Sequence, residues 1–185
     1  MDELIDVLDE YGAGTGTVAS KTQVHQNGLY HNTAHIWFYN SEYEILLQQR
    51  SAKKTFYPLL WDVSVAGHVD SGESIRQAAV RETREEIGLF IRETDLRKIG
   101  VFESFKDYKN GFIDNEFHHT FICKMRAEFK NLRPHPEEVE ALKLVSVSKF
   151  NDHIVHIGKD NHFVPGNKSY YEFVLNSIKQ TKLQK

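Results

Sequence analysis

Three glutamates at helical spacing are the residues of this chain best suited to chemistry. Glu82, Glu85 and Glu86 stand at positions i, i+3 and i+4, so a helix through them presents three carboxylates on one face. Like charges at this spacing repel each other, and a hard divalent cation removes the repulsion. Oxygen ligands suit Mg²⁺ or Mn²⁺ bound jointly with substrate phosphates. The spacing therefore predicts a Mg²⁺ (or Mn²⁺) site, with Glu73 just before the helix as a further ligand.

The element that must position these carboxylates is a helix predicted over residues 74–87. Ser74 with Gln77 three residues later is typical of a capping box at the N-terminus of a helix. Gly88 follows the last helical position, where a left-handed cap is wanted. Arg81 is expected to pair with Glu73 and so to hold the preceding loop against the helix.

Residues 67–89 resemble the Nudix box, Gly-x5-Glu-x7-Arg-Glu-U-x-Glu-Glu-x-Gly-U, where U is a bulky aliphatic residue. Thr83 at the first U is the one departure, and threonine has the shape of valine. The resemblance implies cleavage of a diphosphate joined to some moiety X, with the three glutamates of the helix as catalytic metal ligands. The structural alternative, a solvated acidic helix with salt bridges, does not account for so many specified positions.

Length and composition favour one domain over residues 1–185. The chain is 40% hydrophobic and 26% charged, which is ordinary for a globular protein with a core. We predict the α+β class, and the resemblance implies the Nudix fold, an α/β/α sandwich around a mixed β-sheet. An N-terminal β-hairpin is expected at about 1–20, a loop at 21–30 and C-terminal helices at about 148–180.

Charge and cysteine content exclude several functions. The net charge of −3 gives no reason to expect a nucleic-acid or membrane partner. The resemblance to the Nudix box implies a small-molecule diphosphate as the partner. Cys123 is the single cysteine, which excludes a disulfide-stabilised secreted scaffold. The acidic N-terminus lacks the features of a signal peptide, so we expect a cytoplasmic protein. Its oligomeric state is expected to be monomer or homodimer.

Residues 30–37, 46–50, 57–62 and 64–68 resemble the branch of the superfamily that contains isopentenyl-diphosphate isomerases and their hydrolase relatives. These isomerases use a cysteine in a Ser-x-Cys-Gly-His segment, and Ala66 stands at its place here. A methyl group is neither an acid nor a base. Strand periodicity puts Cys123 on the face opposite Glu116, so it cannot substitute. A residual isomerase, and a non-catalytic nucleotide sensor, are the alternatives to a hydrolase.

The same branch implies a second metal site made of histidines and carboxylates. His31, His68 and Glu116 match its positions, Asp114 stands where a second carboxylate would be, and His25 is one residue away from a further histidine. Imidazoles with carboxylates suit Mn²⁺, Zn²⁺ or Fe²⁺. The structural alternative is that the histidines are partly buried polar residues or exposed bystanders.

Four further residues are expected to contact substrate and one to act as a base. In this branch Arg50, Lys54 and Lys21 follow strand ends or loops near the box, where they could bind phosphate. Trp61 could stack on a base or an isoprenoid chain, although strand aromatics more often belong to the core. Glu138 precedes the last strand, where some Nudix hydrolases place a catalytic base.

Overall fold

A mixed β-sheet forms the centre of the fold in the computed structural model, which describes residues 2–108, 111–157 and 162–183. Nine strands lie within these residues: β1 (Leu4–Leu8), β2 (Gly14–Ser20), β3 (Tyr30–Tyr39), β4 (Ile45–Arg50), β5 (Trp61–Asp62), β6 (Val65–His68), β7 (Arg97–Tyr108), β8 (Phe112–Lys124) and β9 (Val139–Val145). The helices are α1 (Lys21–Asn27), α2 (Ile75–Ile87), α3 (Val147–His156) and α4 (Lys168–Leu183). Within the described residues, no helix has the length and apolar character needed to span a membrane.

Strand β3 is the hub of the sheet. It pairs antiparallel with β1, β4 and β6, and parallel with β8. The outer strands add antiparallel pairs, with β2 on β1, β7 on β8, and both β5 and β9 on β4. This mixture of directions confirms the predicted mixed sheet and the N-terminal hairpin.

Alternating residues of β3 face two separate cores. On one face, Ile36 and Phe38 pack in a buried cluster with Ala78 and Ala79 of α2. On the other face, Trp37 packs in a second buried cluster with residues of α3 and α4. Helices therefore cover both faces of the sheet, which confirms the predicted α/β/α sandwich.

The prediction of a loop over residues 21–30 is wrong, because helix α1 spans Lys21–Asn27. Ser20 caps this helix and forms a capping box with Gln23, and Gly28 ends it with a φ of 60°. The helix α1 matters for the site, since it carries His25 to His31 at the start of β3. The C-terminal helices are present as predicted, and α4 continues to Leu183.

Candidate active site

A cavity of about 880 Å³ opens on the sheet face shared by β3, β6 and β8. It brings together residues from distant parts of the sequence. The predicted site residues in its wall are Lys21, His25, Arg50, Lys54, His68, Glu82, Glu85, Glu86, Asp114, Glu116 and Glu138.

Three predicted site residues lie outside this wall. His31 is fully buried beside it. Glu73 accepts three hydrogen bonds from Arg81, two from Nε at 3.1 and 3.3 Å and one from Nη2 at 2.9 Å, so its carboxylate is paired with the helix. Trp61 packs under the ammonium of Lys143, 3.7 Å from its ring centroid, and the structure gives no support to its contacting a substrate.

Helix α2 aims the box glutamates at the cavity and is built as the sequence predicts. Ser74 and Gln77 form the capping box, and Gly88 adopts the left-handed conformation with a φ of 68°. The Thr83 hydroxyl donates to the Ala79 carbonyl at 2.7 Å, so the departure from the box consensus leaves no unpaired buried hydroxyl. Gly67 on β6 faces the Glu82 carboxylate, and a β-carbon there would overlap it.

Two of the three box carboxylates are withdrawn from solvent. The side chain of Glu82 is 14% exposed and Glu86 is 4% exposed as a residue, whereas Glu85 is exposed. Burial raises the pKa of Glu82 to about 7. Burial, reinforced by the nearby charge of Glu82, raises the pKa of Glu86 well above its usual range. A cation at this point of the cavity would therefore stabilise the ionised forms.

Side chains of the protein donate hydrogen bonds to these three carboxylates. Arg81 Nη1 donates to Glu82 at 2.7 Å and to Glu85 at 3.2 Å. Glu86 accepts from Gln48 Nε2 at 3.0 Å. A metal ion that binds all three glutamates must therefore compete with Arg81 for two of them.

The predicted phosphate-binding cations each have a carboxylate partner. Lys54 contacts Glu138, and Arg50 Nη1 lies 3.3 Å from Asp62 Oδ2. Lys21 lies 3.0 Å from Glu3. Exchange of these partners for phosphate oxygens would keep each cation paired.

A second set of donors gathers below α1. One ring nitrogen from each of His25, His31 and His68 lies within 4.8 Å of the others, and His31 forms a similar set with Asp114 and Glu116. The Nδ1 atoms of His25 and His31 donate to the carbonyl groups of Lys21 and Leu29 at 2.6 and 3.0 Å. His25 Nε2 lies 3.0 Å from Asp114 Oδ1, and this carboxylate raises the pKa of His25 against the opposing effect of burial.

The buried nitrogens of this cluster lack ordinary partners. The Nε2 atoms of His31 and His68 are buried without a hydrogen-bond partner. Burial is the main cause that lowers the pKa of His68 well below its usual range, so its ring is neutral. Imidazoles beside carboxylates are a donor set that fits a transition metal.

Sequence reasoning missed the inner end of the cavity, where His35, His118 and Tyr170 meet. The rings of His35 and His118 stack with centroids 3.9 Å apart, and His35 Nδ1 lies 3.1 Å from the Tyr170 hydroxyl. The alternation of β3 already put His31 and His35 on one face. Nothing in the sequence placed Tyr170 there, because α4 reaches the sheet only through tertiary packing.

Comparisons with known proteins agree with this geometry. The NUDIX domain family matches residues 29–165. The chain is 33% identical to Nudix hydrolase 3 of Arabidopsis thaliana over 89% of its own length, and it spans 22% of that longer protein. It is 31% identical to an uncharacterized Nudix hydrolase of Clostridium acetobutylicum, covering 96% of this chain and 97% of that one. It is 32% identical to the isopentenyl-diphosphate Delta-isomerase of Streptomyces coelicolor, covering 80% of this chain and 74% of the relative.

Solved structures share the architecture. A crystal structure of a Deinococcus radiodurans protein superposes with a TM-score of 0.67 at 18% identity, over 96% of this chain and 98% of that one. An Ap4A hydrolase of C. elegans superposes with a TM-score of 0.51 at 20% identity, over 83% of this chain and 97% of the other. At these identities the likeness concerns the fold alone. The family match and the relatives together show that the chain belongs to the Nudix family, whose members generally hydrolyse pyrophosphate linkages.

Proposed function

We propose that this protein is a Mg²⁺- or Mn²⁺-dependent hydrolase that cleaves the diphosphate linkage of a nucleoside diphosphate derivative or another organic pyrophosphate. The observation that carries the proposal is the withdrawal of Glu82 and Glu86 from solvent at the wall of a cavity that also contains Arg50 and Lys54. A bound cation would stabilise the ionised forms of these two carboxylates, and two basic side chains in the same wall suit phosphate oxygens. The donor set fits a hard divalent ion.

When bound, the divalent ion supplies charge neutralisation at the phosphoryl oxygens and activates water. Glu82, Glu85 and Glu86 would hold it. Arg50 and Lys54 would bind the substrate phosphates by leaving Asp62 and Glu138.

Glu138 is the proposed base. It contacts Lys54 in the structure, and its charge is close enough to act on the pKa of Glu86. Release from Lys54 on phosphate binding would leave this carboxylate free to accept a proton from water. The change from Glu138 to Gln is therefore expected to lower kcat more than it raises KM.

The histidine cluster extends the proposal to a second divalent ion. His25, His31 and His68 with Asp114 and Glu116 would hold Mn²⁺, Zn²⁺ or Fe²⁺, and the buried Nε2 atoms without partners support this. The ion would balance the acidic residues on that side of the cavity.

A substrate panel tests the proposed activity. Nucleoside diphosphate sugars, dinucleotides, nucleotides and isoprenoid diphosphates are incubated with Mg²⁺ or Mn²⁺, and cleavage between phosphorus atoms is scored separately from isomerisation. On a substrate that is cleaved, Glu86→Gln is expected to lower kcat by about 10²-fold or more, because metal-assisted charge stabilisation acts mainly in the transition state. Glu128→Gln, an exposed carboxylate paired with Lys130, is the matched control. Wild-type turnover by Glu86→Gln would overturn the assignment of the box as the active centre.

The isomerase alternative is weakened at one position. Ala66 replaces the cysteine that isomerases of this branch use, and Cys123 lies in the core on the α2 side of the sheet. Conversion of isopentenyl to dimethylallyl diphosphate at the rate of the isomerases would overturn the hydrolase proposal in favour of this alternative. The nucleotide-sensor alternative would be favoured if nucleotides bind and no member of the panel is cleaved.

A further inference from the structure

The inner end of the cavity is made of three rings from three different elements. His35 comes from β3, His118 from β8 and Tyr170 from α4, and all three contribute to the cavity wall. Stacking of the two imidazoles, with an angle of 24° between their planes, fixes the orientation of His35. Tyr170 is packed edge-on against Phe102, with ring centroids 4.9 Å apart. This end is therefore a shaped wall rather than open solvent.

The hydrogen bonds of this end join His35 to Tyr170. Trp37 Nε1 is a donor only, and it donates to the Tyr170 hydroxyl oxygen at 2.9 Å. The same hydroxyl lies 3.1 Å from His35 Nδ1 and also has the Thr120 hydroxyl as a partner. In the tautomer in which the phenol donates to Nδ1, the neutral ring of His35 carries its own proton on Nε2.

Two charge effects support this assignment. Burial is the main cause that lowers the pKa of His35 well below its usual range, so the ring is neutral. Burial also raises the pKa of the Tyr170 phenol, which keeps the proton that it donates. In the described part of the chain, no hydrogen bond is made by His35 Nε2, whereas His118 Nε2 donates to Glu116 at 2.8 Å.

We propose that the inner end of the cavity is a subsite for an uncharged, oxygen-bearing part of the moiety X, such as a sugar ring, selected by the Nε2–H donor of His35. The inference rests on the proposed function, since it assumes that a diphosphate occupies the outer part of the cavity. A hydrocarbon chain in the same place would leave this donor without a partner, whereas a hydroxyl or ring oxygen would accept from it. Tyr170 acts as a positioning residue through the tautomer of His35.

Ligand binding to a Glu86→Gln background, which suppresses turnover, tests the subsite. The probes for isothermal titration are UDP-glucose, geranyl diphosphate and inorganic diphosphate. Inorganic diphosphate has no X group and therefore cannot occupy the subsite. UDP-glucose is expected to bind more tightly than geranyl diphosphate. In the Glu86→Gln background, His35→Phe keeps a stacked ring and removes the N–H donor. The affinity for UDP-glucose should therefore fall about tenfold, which corresponds to the loss of one neutral hydrogen bond. Its affinity for inorganic diphosphate should not change.

Two further variants separate recognition from structure. His35→Gln keeps a side-chain N–H donor and is expected to recover part of the UDP-glucose affinity. Tyr170→Phe should convert the single Nε2–H tautomer of His35 into a mixture, measured by nitrogen NMR, and should weaken UDP-glucose but not inorganic diphosphate. A purely structural role of Tyr170 would leave the tautomer unchanged.

The inference is overturned if geranyl diphosphate binds as tightly as UDP-glucose, or if His35→Phe weakens all three probes equally. If His35→Phe does not fold, the inference is tested by comparing the affinities of UDP-glucose and geranyl diphosphate for the Glu86→Gln protein. Failure of the proposed function would give a different result: the wild-type protein would cleave no organic diphosphate of the substrate panel with either Mg²⁺ or Mn²⁺.

Discussion

Gly67 and Glu82 lie face to face, with the Glu82 carboxylate in the space that a side chain at position 67 would occupy. Gly67 is the first residue of the box and Glu82 is the first of its three helical glutamates, so one position makes room for the other. The backbone of Gly67 does not have a positive φ, and its role is therefore space rather than conformational freedom.

Gly67→Ala is expected to displace the Glu82 carboxylate and to lower kcat by about 10²-fold, similar to the loss of a metal ligand. The measurement is steady-state turnover of any substrate that the panel identifies, together with thermal unfolding. Gly14→Ala is the matched control, because a β-carbon there meets nothing within 4 Å. Equal activity of Gly67→Ala and Gly14→Ala would contradict the role of Glu82 in the site.

Removal of one box carboxylate is expected to weaken Mn²⁺ binding at the box. Glu85→Gln and Glu86→Gln each take away one charged oxygen ligand, and Mn²⁺ affinity should fall at least tenfold. Isothermal titration of the wild type and of both variants measures this effect, with Glu128→Gln as the control. Equal Mn²⁺ affinity in all four proteins would refute a metal site at the box.

Mutation in the histidine cluster is expected to remove a different metal ion. Because the Nε2 atom of His68 is buried and has no hydrogen-bond partner, His68→Gln should lower the amount of bound Zn²⁺, Mn²⁺ or Fe²⁺ per chain. Elemental analysis after dialysis against each metal is the measurement. His162→Gln, at an exposed histidine, should keep the wild-type metal content. If wild type and His68→Gln hold the same metal content, the cluster is a set of buried polar residues.

Local signals predicted the parts of the site that lie close together in the sequence. The helix α2 and its cap follow from Ser74, Gln77 and Gly88, and the box glutamates follow from their spacing. The same signals at Ser20, Gln23 and Gly28 mark α1, which the sequence analysis nevertheless assigned to a loop. Because the helix was not predicted, the sequence did not indicate how His25 reaches the histidine cluster.

Tertiary packing determined the parts that could not be predicted. His35 and Tyr170 are 135 positions apart, and their contact depends on how α4 lies across the sheet. Trp61 lies beneath the ammonium of Lys143, and this contact also depends on tertiary packing that its position in the sequence does not reveal. Strand alternation predicts which residues share a face, but the docking of helices decides which face holds the cavity.

The buried box carboxylates should make the metal-free protein less stable as pH rises. The folded-state pKa of Glu82 is raised to about 7, above its usual value of 4.5, so the unfolded chain loses its proton first. Between these two values the folded state binds more protons than the unfolded state, and the free energy of unfolding falls with increasing pH. The contribution is on the order of 1 to 3 kcal/mol and is complete above pH 7.

Glu82→Gln removes this penalty, because an amide has no charge to desolvate. In the presence of a chelator, the variant should unfold at a higher temperature than the wild type at pH 8, and the two should converge at about pH 4.5, where Glu82 is protonated in the folded wild type. Saturating Mn²⁺ should reverse the order at pH 8, since the ion stabilises only the protein that offers the carboxylate. Thermal unfolding at both pH values, with and without Mn²⁺, measures all four cases. A variant that is less stable than the wild type at pH 8 without metal would mean that the Arg81 ion pair outweighs the burial of Glu82.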